Sequence, residues 1–210
     1  MDRSGLPKTV HQAQAAIMAS LQRRGPYSPE ELTSLYPPSL QLHFVQIVAR
    51  HGERTPVRAR FENTIPTFWA ECKAAERFRN EVLTASGQWE SFGYKRGLET
   101  FGKGDKAVQA AGGARETEGL CIFGELTELG RKTCLNLGQR IRHLYVDQLG
   151  FLPATLKPEQ LYLRSTPVVR TMESLQEMII GLYPMATRPT NFQPRIFTRL
   201  LSEENLFPNE

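Results

Sequence analysis

The run Arg50-His51-Gly52-Glu53-Arg54-Thr55-Pro56 sets one imidazole between two guanidiniums, and Arg170 offers a third shortly after Arg164-Ser165-Thr166. Guanidiniums gathered at one rim repel each other and are tolerated where an anion normally sits among them; their planar forks suit phosphoryl oxygens. A helix start beside Arg170 would add backbone N–H donors and the positive end of the helix dipole. The same cationic field disfavours imidazolium, so His51 is expected to be neutral, with a lone pair free to attack phosphorus. Gly52 removes a side chain where the backbone must approach a ligand, and Pro56 stiffens the loop exit. The candidate catalytic residues are His51, Arg50, Arg54 and Arg170, and the three arginines are the candidate phosphate-binding set. His11 and His143 fall on helices and His43 in a strand, so all three are read as structural. Glu53, Glu125, Glu203 and Glu204 are read as solvated carboxylates, none of them spaced to protonate a leaving oxygen.

These groups need elements that carry them to one rim. Leu42 to Ala49 is a mostly apolar run with β-branched residues, which predicts a strand covered on both faces and ending at Arg50. Cys134, Leu137, Ile141, Leu144 and Leu149 mark one face of a helix from about Thr127 to Gly150, with Arg131, Lys132, Arg140 and Arg142 elsewhere on it. A short strand over Gln160 to Arg164 follows. Thr166 and Pro167 then read as N-cap and first-turn proline of a helix whose face is Val168, Met172, Leu175, Ile179 and Leu182, ending before Pro184. Arg195 to Arg199 is a candidate third strand. Strand, insertion, helix, strand, helix, strand is the order of an α/β fold, a mainly parallel sheet with helices on both faces. Ligands bind such sheets at the carboxyl ends of the strands, where both arginine-bearing segments fall.

Residues 1–41 form a helical extension in this reading. Val10, Ala13, Ile17 and Leu21 give one amphipathic helix; Ser28, Pro29 and Glu31 cap a second that stops near Tyr36, before Pro37 and Pro38. Residues 42–210 are the domain proper. Within it 57–123, with Gly-rich breaks and no sustained period, read as a cap or insertion.

Composition excludes several classes. With 26 Lys+Arg, 22 Asp+Glu and 40% apolar residues, the 210-residue chain is neither a disordered tail nor a coiled coil. The arginines are dispersed, without the clustered stripe of a nucleic-acid binder, so no nucleic-acid partner is expected. No apolar run approaches the roughly 20 residues needed to span a bilayer. Cys72, Cys121 and Cys134, odd in number and widely spaced, are expected to be reduced thiols of an intracellular protein. The N-terminus lacks a secretory apolar core, which disfavours secretion; its arginines leave a mitochondrial presequence as the alternative to a cytoplasmic location.

Arg50 to Pro56 resembles the signature of the histidine phosphatase superfamily, in its acid phosphatase branch. Three more segments are similar to that branch: Gly124 to Tyr145, Tyr162 to Pro184 with its Ser-Thr-x-x-x-Arg and Gly-Leu-Tyr-Pro, and Arg195 to Asn209. Within the branch the lysophosphatidic acid phosphatase type looks similar, through Gln139 to Tyr183. The resemblance implies a phosphoglycerate mutase-like α/β fold and phosphomonoester hydrolysis. In that chemistry His51 forms a phosphohistidine, and Arg50, Arg54 and Arg170 hold the phosphoryl oxygens without a metal or other cofactor. It implies a phosphorylated small molecule or a lysophospholipid as substrate. Pro167 stands where many members have Asp. The family's leaving-group acid lies in a His-Asp type motif beyond the third strand, so the resemblance implies that this chain is an N-terminal part, incomplete at its C-terminus. Two other functions carry the same pocket: a mutase-type phosphoryl transferase and a non-hydrolytic phosphoanion-binding or regulatory protein.

Overall fold

A computed structural model of the chain describes residues 26–58, 69–94, 99–109 and 120–207. They fall in two compact units, Met1–Val45 and Gln46–Glu210. The helix expected over Val10 to Leu21 lies outside the described residues.

In the first unit, α1 (Pro29–Leu35) forms where the sequence signals it. The Glu31 N–H donates to Ser28 Oγ at 3.2 Å and the Ser28 N–H to Glu31 Oε2 at 3.0 Å, a reciprocal pair that satisfies two amides a helix start would otherwise orphan. The helix ends at Tyr36, before the two prolines.

The second unit is α/β. It contains α2 (Lys73–Arg79), the antiparallel hairpin β1 (Glu81–Leu83) with β2 (Trp89–Ser91), and a second antiparallel pair, β3 (Glu99–Phe101) with β4 (Ala107–Gln109). Then come α3 (Glu128–Arg142), β5 (Leu163–Arg164), α4 (Val169–Leu182) and β6 (Ile196–Phe197). β5 and β6 pair in parallel, Leu163 opposite Ile196 and Arg164 opposite Phe197, with α4 as the crossover between them. That is the βαβ unit expected from the order of elements.

The strand expected over Leu42 to Ala49 is not in a ladder. These residues pair with no strand among those described, and Phe44 and Val48 are 78% and 75% exposed. A strand's stability lies in cross-strand hydrogen bonds and covered faces, and neither is supplied to this run. Accordingly the sheets among the described residues are three two-stranded pieces rather than one parallel sheet.

α3 and α4 form the core, packed through glycines. A Cβ on Gly138 would stand 2.0 Å from the Met178 carbonyl oxygen, and one on Gly181 would stand 2.2 Å from that of Leu135. Bare backbone at both positions lets the helix axes approach. At the far end of the pair, Arg142 Nη1 donates to the Leu182 carbonyl at 3.0 Å, and its guanidinium lies over the buried ring of Tyr183, whose hydroxyl donates to the Pro153 carbonyl at 3.0 Å. Arg131, read as lying off the apolar face of α3, is buried, paired with Glu173 (2.9 Å) and Glu177 (3.6 Å) and stacked over the Phe78 ring. Gly138→Ala is expected to lower unfolding stability by about 3 kcal/mol, because backbone rather than a movable side chain blocks the new methyl. A urea titration followed by circular dichroism measures it.

α4 starts two residues later than expected. Its N-cap is Val168 rather than Thr166, and Thr166 instead shares a hydroxyl hydrogen bond of 2.8 Å with Thr171. Nor are all three cysteines reduced: Cys72 and Cys121 form a disulfide, their Cα atoms 5.1 Å apart, and Cys134 is a free, buried thiol. A separation of 49 residues carries no pairing signal, because the fold and not the spacing brings the two together. With the bond made, cysteine usage no longer speaks for a reducing compartment. No helix among the described residues is long and apolar enough to cross a membrane.

Candidate active site

The loop carrying His51 is held against the start of α3. Arg54 forms an antiparallel bridge with Leu126, and the Thr55 N–H donates to the Glu125 carbonyl at 3.0 Å. The Thr55 hydroxyl donates to the Ile122 carbonyl at 2.8 Å and accepts from the Glu125 N–H at 3.1 Å. The Glu53 carbonyl accepts from both the N–H and the hydroxyl of Thr127, the N-cap of α3, at 3.0 and 2.9 Å. Thr127 in turn accepts from the Gly130 N–H at 3.1 Å. The fit is backbone on backbone. A Cβ on Gly52 would stand 2.2 Å from the Gly130 carbonyl oxygen, so Gly52 is required by the protein's own packing as well as by any ligand.

His51 is half-buried, and its Nδ1 lies 2.7 Å from the Gly52 carbonyl oxygen. A carbonyl can only accept, so Nδ1 carries the proton and the lone pair belongs to Nε2. The ring's pKa is lowered. Burial is the largest cause; the bond to Gly52 opposes it, and the charges of Arg170, Arg50 and Arg54 add to the lowering. The neutral imidazole expected from the sequence follows, though from desolvation first and the arginine field second.

All three arginines stand near enough to His51 for their charge to act on its ring. Arg50 is exposed, while Arg54 and Arg170 are half-buried, with Arg54 Nη1 donating to the Thr55 carbonyl at 2.8 Å. The Nε atoms of Arg54 and Arg170 are buried without a hydrogen-bond partner among the described residues. Arg170's pKa is lowered by burial and then by Arg54 and Arg50, the mark of cations assembled without a counter-charge. Arg164 does not join them: its Nη2 is committed to Glu204 at 2.7 Å and Asn205 at 3.2 Å.

Of the carboxylates expected in solvent, Glu53 is half-buried, with its Oε2 buried and lacking a hydrogen-bond partner among the described residues, and two others are committed elsewhere. Glu125 is paired with Arg79 and accepts from the Ile122 N–H, and the Glu204 side chain is fully covered against Arg164. Cys72, Cys121 and Glu125 bring their donor atoms within 4.8 Å of one another, but the two sulfurs are bonded to each other and the carboxylate holds Arg79.

Two contributors escaped the sequence reading. Gly124, at φ +74°, places its Cα beside the Arg170 guanidinium, where an added Cβ would lie 3.5 Å from Nη1. Ser174, 1% exposed, accepts from the Gly52 N–H at 3.1 Å. Its place one helical turn after Arg170, on the same face, was the available signal.

Comparison with known proteins bears on the family to which the chain belongs. The histidine phosphatase superfamily (branch 2) matches residues 41–206. A probable acid phosphatase of Schizosaccharomyces pombe is 42% identical over 83% of this chain and 37% of its own length. Counting factor 60 of Dictyostelium discoideum is 30% identical over 76% of this chain and 36% of its own. The bovine lysophosphatidic acid phosphatase type 6 is 27% identical over 81% and 37%. The chain thus spans a little over a third of the length of these relatives. The signature loop, the arginines around His51 and a match over most of the chain lead to one assignment: this chain belongs to branch 2 of the histidine phosphatase superfamily.

Proposed function

We propose that the chain carries the nucleophile and phosphate clamp of a phosphomonoester hydrolase of the acid phosphatase type. The observation that supports it most is the 2.7 Å approach of His51 Nδ1 to the Gly52 carbonyl, which can only accept and so leaves the lone pair on Nε2. Arg50, Arg54 and Arg170 would hold three phosphoryl oxygens and neutralise the charge that develops on them. Nε2 attacks phosphorus, the ester oxygen leaves with the bonding pair, and water then displaces phosphate from the phosphohistidine. The parallel pair β5 and β6 would belong to a mainly parallel sheet with helices on both faces, as in phosphoglycerate mutases. The substrate is a phosphorylated small molecule; the names of relatives such as the bovine enzyme point to lysophospholipid phosphates as the finer class.

Breaking the ester bond puts charge on the leaving oxygen. Of the four carboxylates weighed for that proton, Glu125 and Glu204 are held by Arg79 and Arg164. A positioned general acid contributes about a hundred to ten thousand-fold to such a step. The 210-residue chain is therefore expected to transfer phosphoryl from p-nitrophenyl phosphate far faster than from glycerol phosphate, because the phenol leaves unaided. Rapid acid quench after mixing with each ester, followed by mapping of acid-labile phosphate, tests this. Label on His51 from the aryl ester supports the proposal. Phosphate bound without covalent capture would favour a phosphoanion-binding protein, and transfer to an added acceptor in preference to water would favour a mutase-type transferase.

A further inference from the structure

We infer that Ser174 is a positioning residue for phosphoryl transfer, its hydroxyl tying the peptide that orients His51 to the backbone of Arg170. The inference rests on the reading of His51 as the nucleophile. A buried serine inside a helix commonly bonds back to the carbonyl four residues earlier. Ser174 does so, its Oγ donating to the Arg170 carbonyl at 2.7 Å, but the same oxygen also accepts from the Gly52 N–H at 3.1 Å, 122 residues away in sequence. Gly52 then uses its own carbonyl to hold Nδ1 of His51 at 2.7 Å.

Three hydrogen bonds therefore run in one direction. Nδ1–H of His51 donates to Gly52, the Gly52 N–H to Ser174, and the Ser174 hydroxyl to Arg170. They join the attacking ring to Arg170, which bears one of the two half-buried guanidiniums of the set, and each donor is matched to an acceptor. Gly52 is buried and pressed against Gly130, so its amide has little access to solvent and depends on an acceptor inside the fold. The Cys134 thiol also lies against Gly52 and Ser174, but sulfur accepts weakly, which leaves the hydroxyl as the anchor.

What such a chain of bonds controls is where Nε2 stands relative to phosphorus held by the arginines. Reacting atoms must meet at about 3 to 3.5 Å and in line, and a displacement of about 1 Å costs on the order of a hundredfold in rate. Ser174→Ala keeps the packing nearly intact, yet leaves the Gly52 amide without its acceptor and frees that peptide to turn.

The test is the pre-steady-state burst of p-nitrophenolate from p-nitrophenyl phosphate on the full 210-residue chain. In that step the Nε2–P bond forms as the P–O bond breaks, and the electron pair leaves with the phenolate. Burst amplitude counts competent sites; burst rate reports how well the nucleophile is placed. Ser174→Ala is expected to keep the amplitude and the affinity for orthophosphate while its burst rate falls about ten- to a hundredfold. Ser174→Thr, whose Oγ1 can also reach the carbonyl four residues back, is expected to recover most of the rate. If the alanine variant does not fold, Ser174→Cys carries the test, and its rate is expected below wild type because its acceptor is weaker. A wild-type rate in the alanine or the cysteine variant, or a loss confined to amplitude, overturns the inference. A wild-type chain that forms no phosphohistidine at His51 overturns the reading of the site instead, which is a different result from the same trace.

Discussion

His51→Ala is expected to remove phosphoryl capture altogether, while orthophosphate still binds among Arg50, Arg54 and Arg170. The two functions separate because the imidazole supplies the electron pair and the guanidiniums supply the charge. Loss of a covalent nucleophile costs roughly ten thousand-fold or more in turnover, the largest change a single side chain here can cause. The readout is acid-labile phosphate after rapid quench, with binding followed by calorimetry. Phosphate retained covalently on the alanine variant would show that another residue is the nucleophile. The wild-type pH profile carries the same signature. Attack needs the neutral ring, and burial, supported by the arginine charges, lowers its pKa from the ordinary value of about 6.5. The rate of capture is expected to fall off at a lower pH than an ordinary imidazole would impose, where Nε2 takes a proton.

Arg170→Ala is expected to move function and stability in opposite directions. The guanidinium is half-buried, its Nε lacks a partner among the described residues, and Arg54 and Arg50 repel it. In the ligand-free protein that arrangement is a cost, tolerated because an anion offsets it. Removing one preorganised donor aimed at developing charge costs about a hundred- to a thousandfold in rate. The same substitution relieves repulsion and a buried polar atom, so the thermal midpoint should rise, as is common where a site is held against its own stability. Arg170→Lys keeps the charge and loses the fork, which puts its phosphate affinity between the two. Equal orthophosphate affinity in all three proteins would show that Arg170 does not face the ligand.

The candidate loop could be read from the sequence because it is local. Arg50, His51 and Arg54 share one loop, and the cap residues Thr127 and Ser28 announce their helices by type and spacing. What failed was whatever depends on long-range partners. Leu42 to Ala49 has the pattern of a covered strand, but pattern supplies neither a neighbour nor a cover. The helix faces were misread for a different reason. Counting apolar residues picked Leu137 and Ile141 along with Cys134, whereas the buried residues of α3 are Gly130, Arg131, Cys134 and Gly138. Glycine signals close approach by having no side chain, which a hydrophobicity count scores as nothing. Arg131 sits inside because Glu173 and Glu177 on α4 meet it, and an ion pair between helices leaves no trace in either helix's periodicity. The disulfide was missed on the same ground.

That disulfide gives the chain a covalent ring. Cys72 and Cys121 close a loop that contains α2, both hairpins and the exposed turn with Lys103 and Lys106. A protease that cuts at that turn opens the ring without dividing the molecule, since the two pieces stay joined through sulfur. Nicked protein should therefore migrate as one species on a denaturing gel without reductant and as two with it. Because Thr55, Gly124 and Glu125 hold the His51 loop on the far side of Cys121, a cut in the ring spares the hydrogen bonds that place the nucleophile, and the nicked protein should still capture phosphate until the sulfurs are reduced.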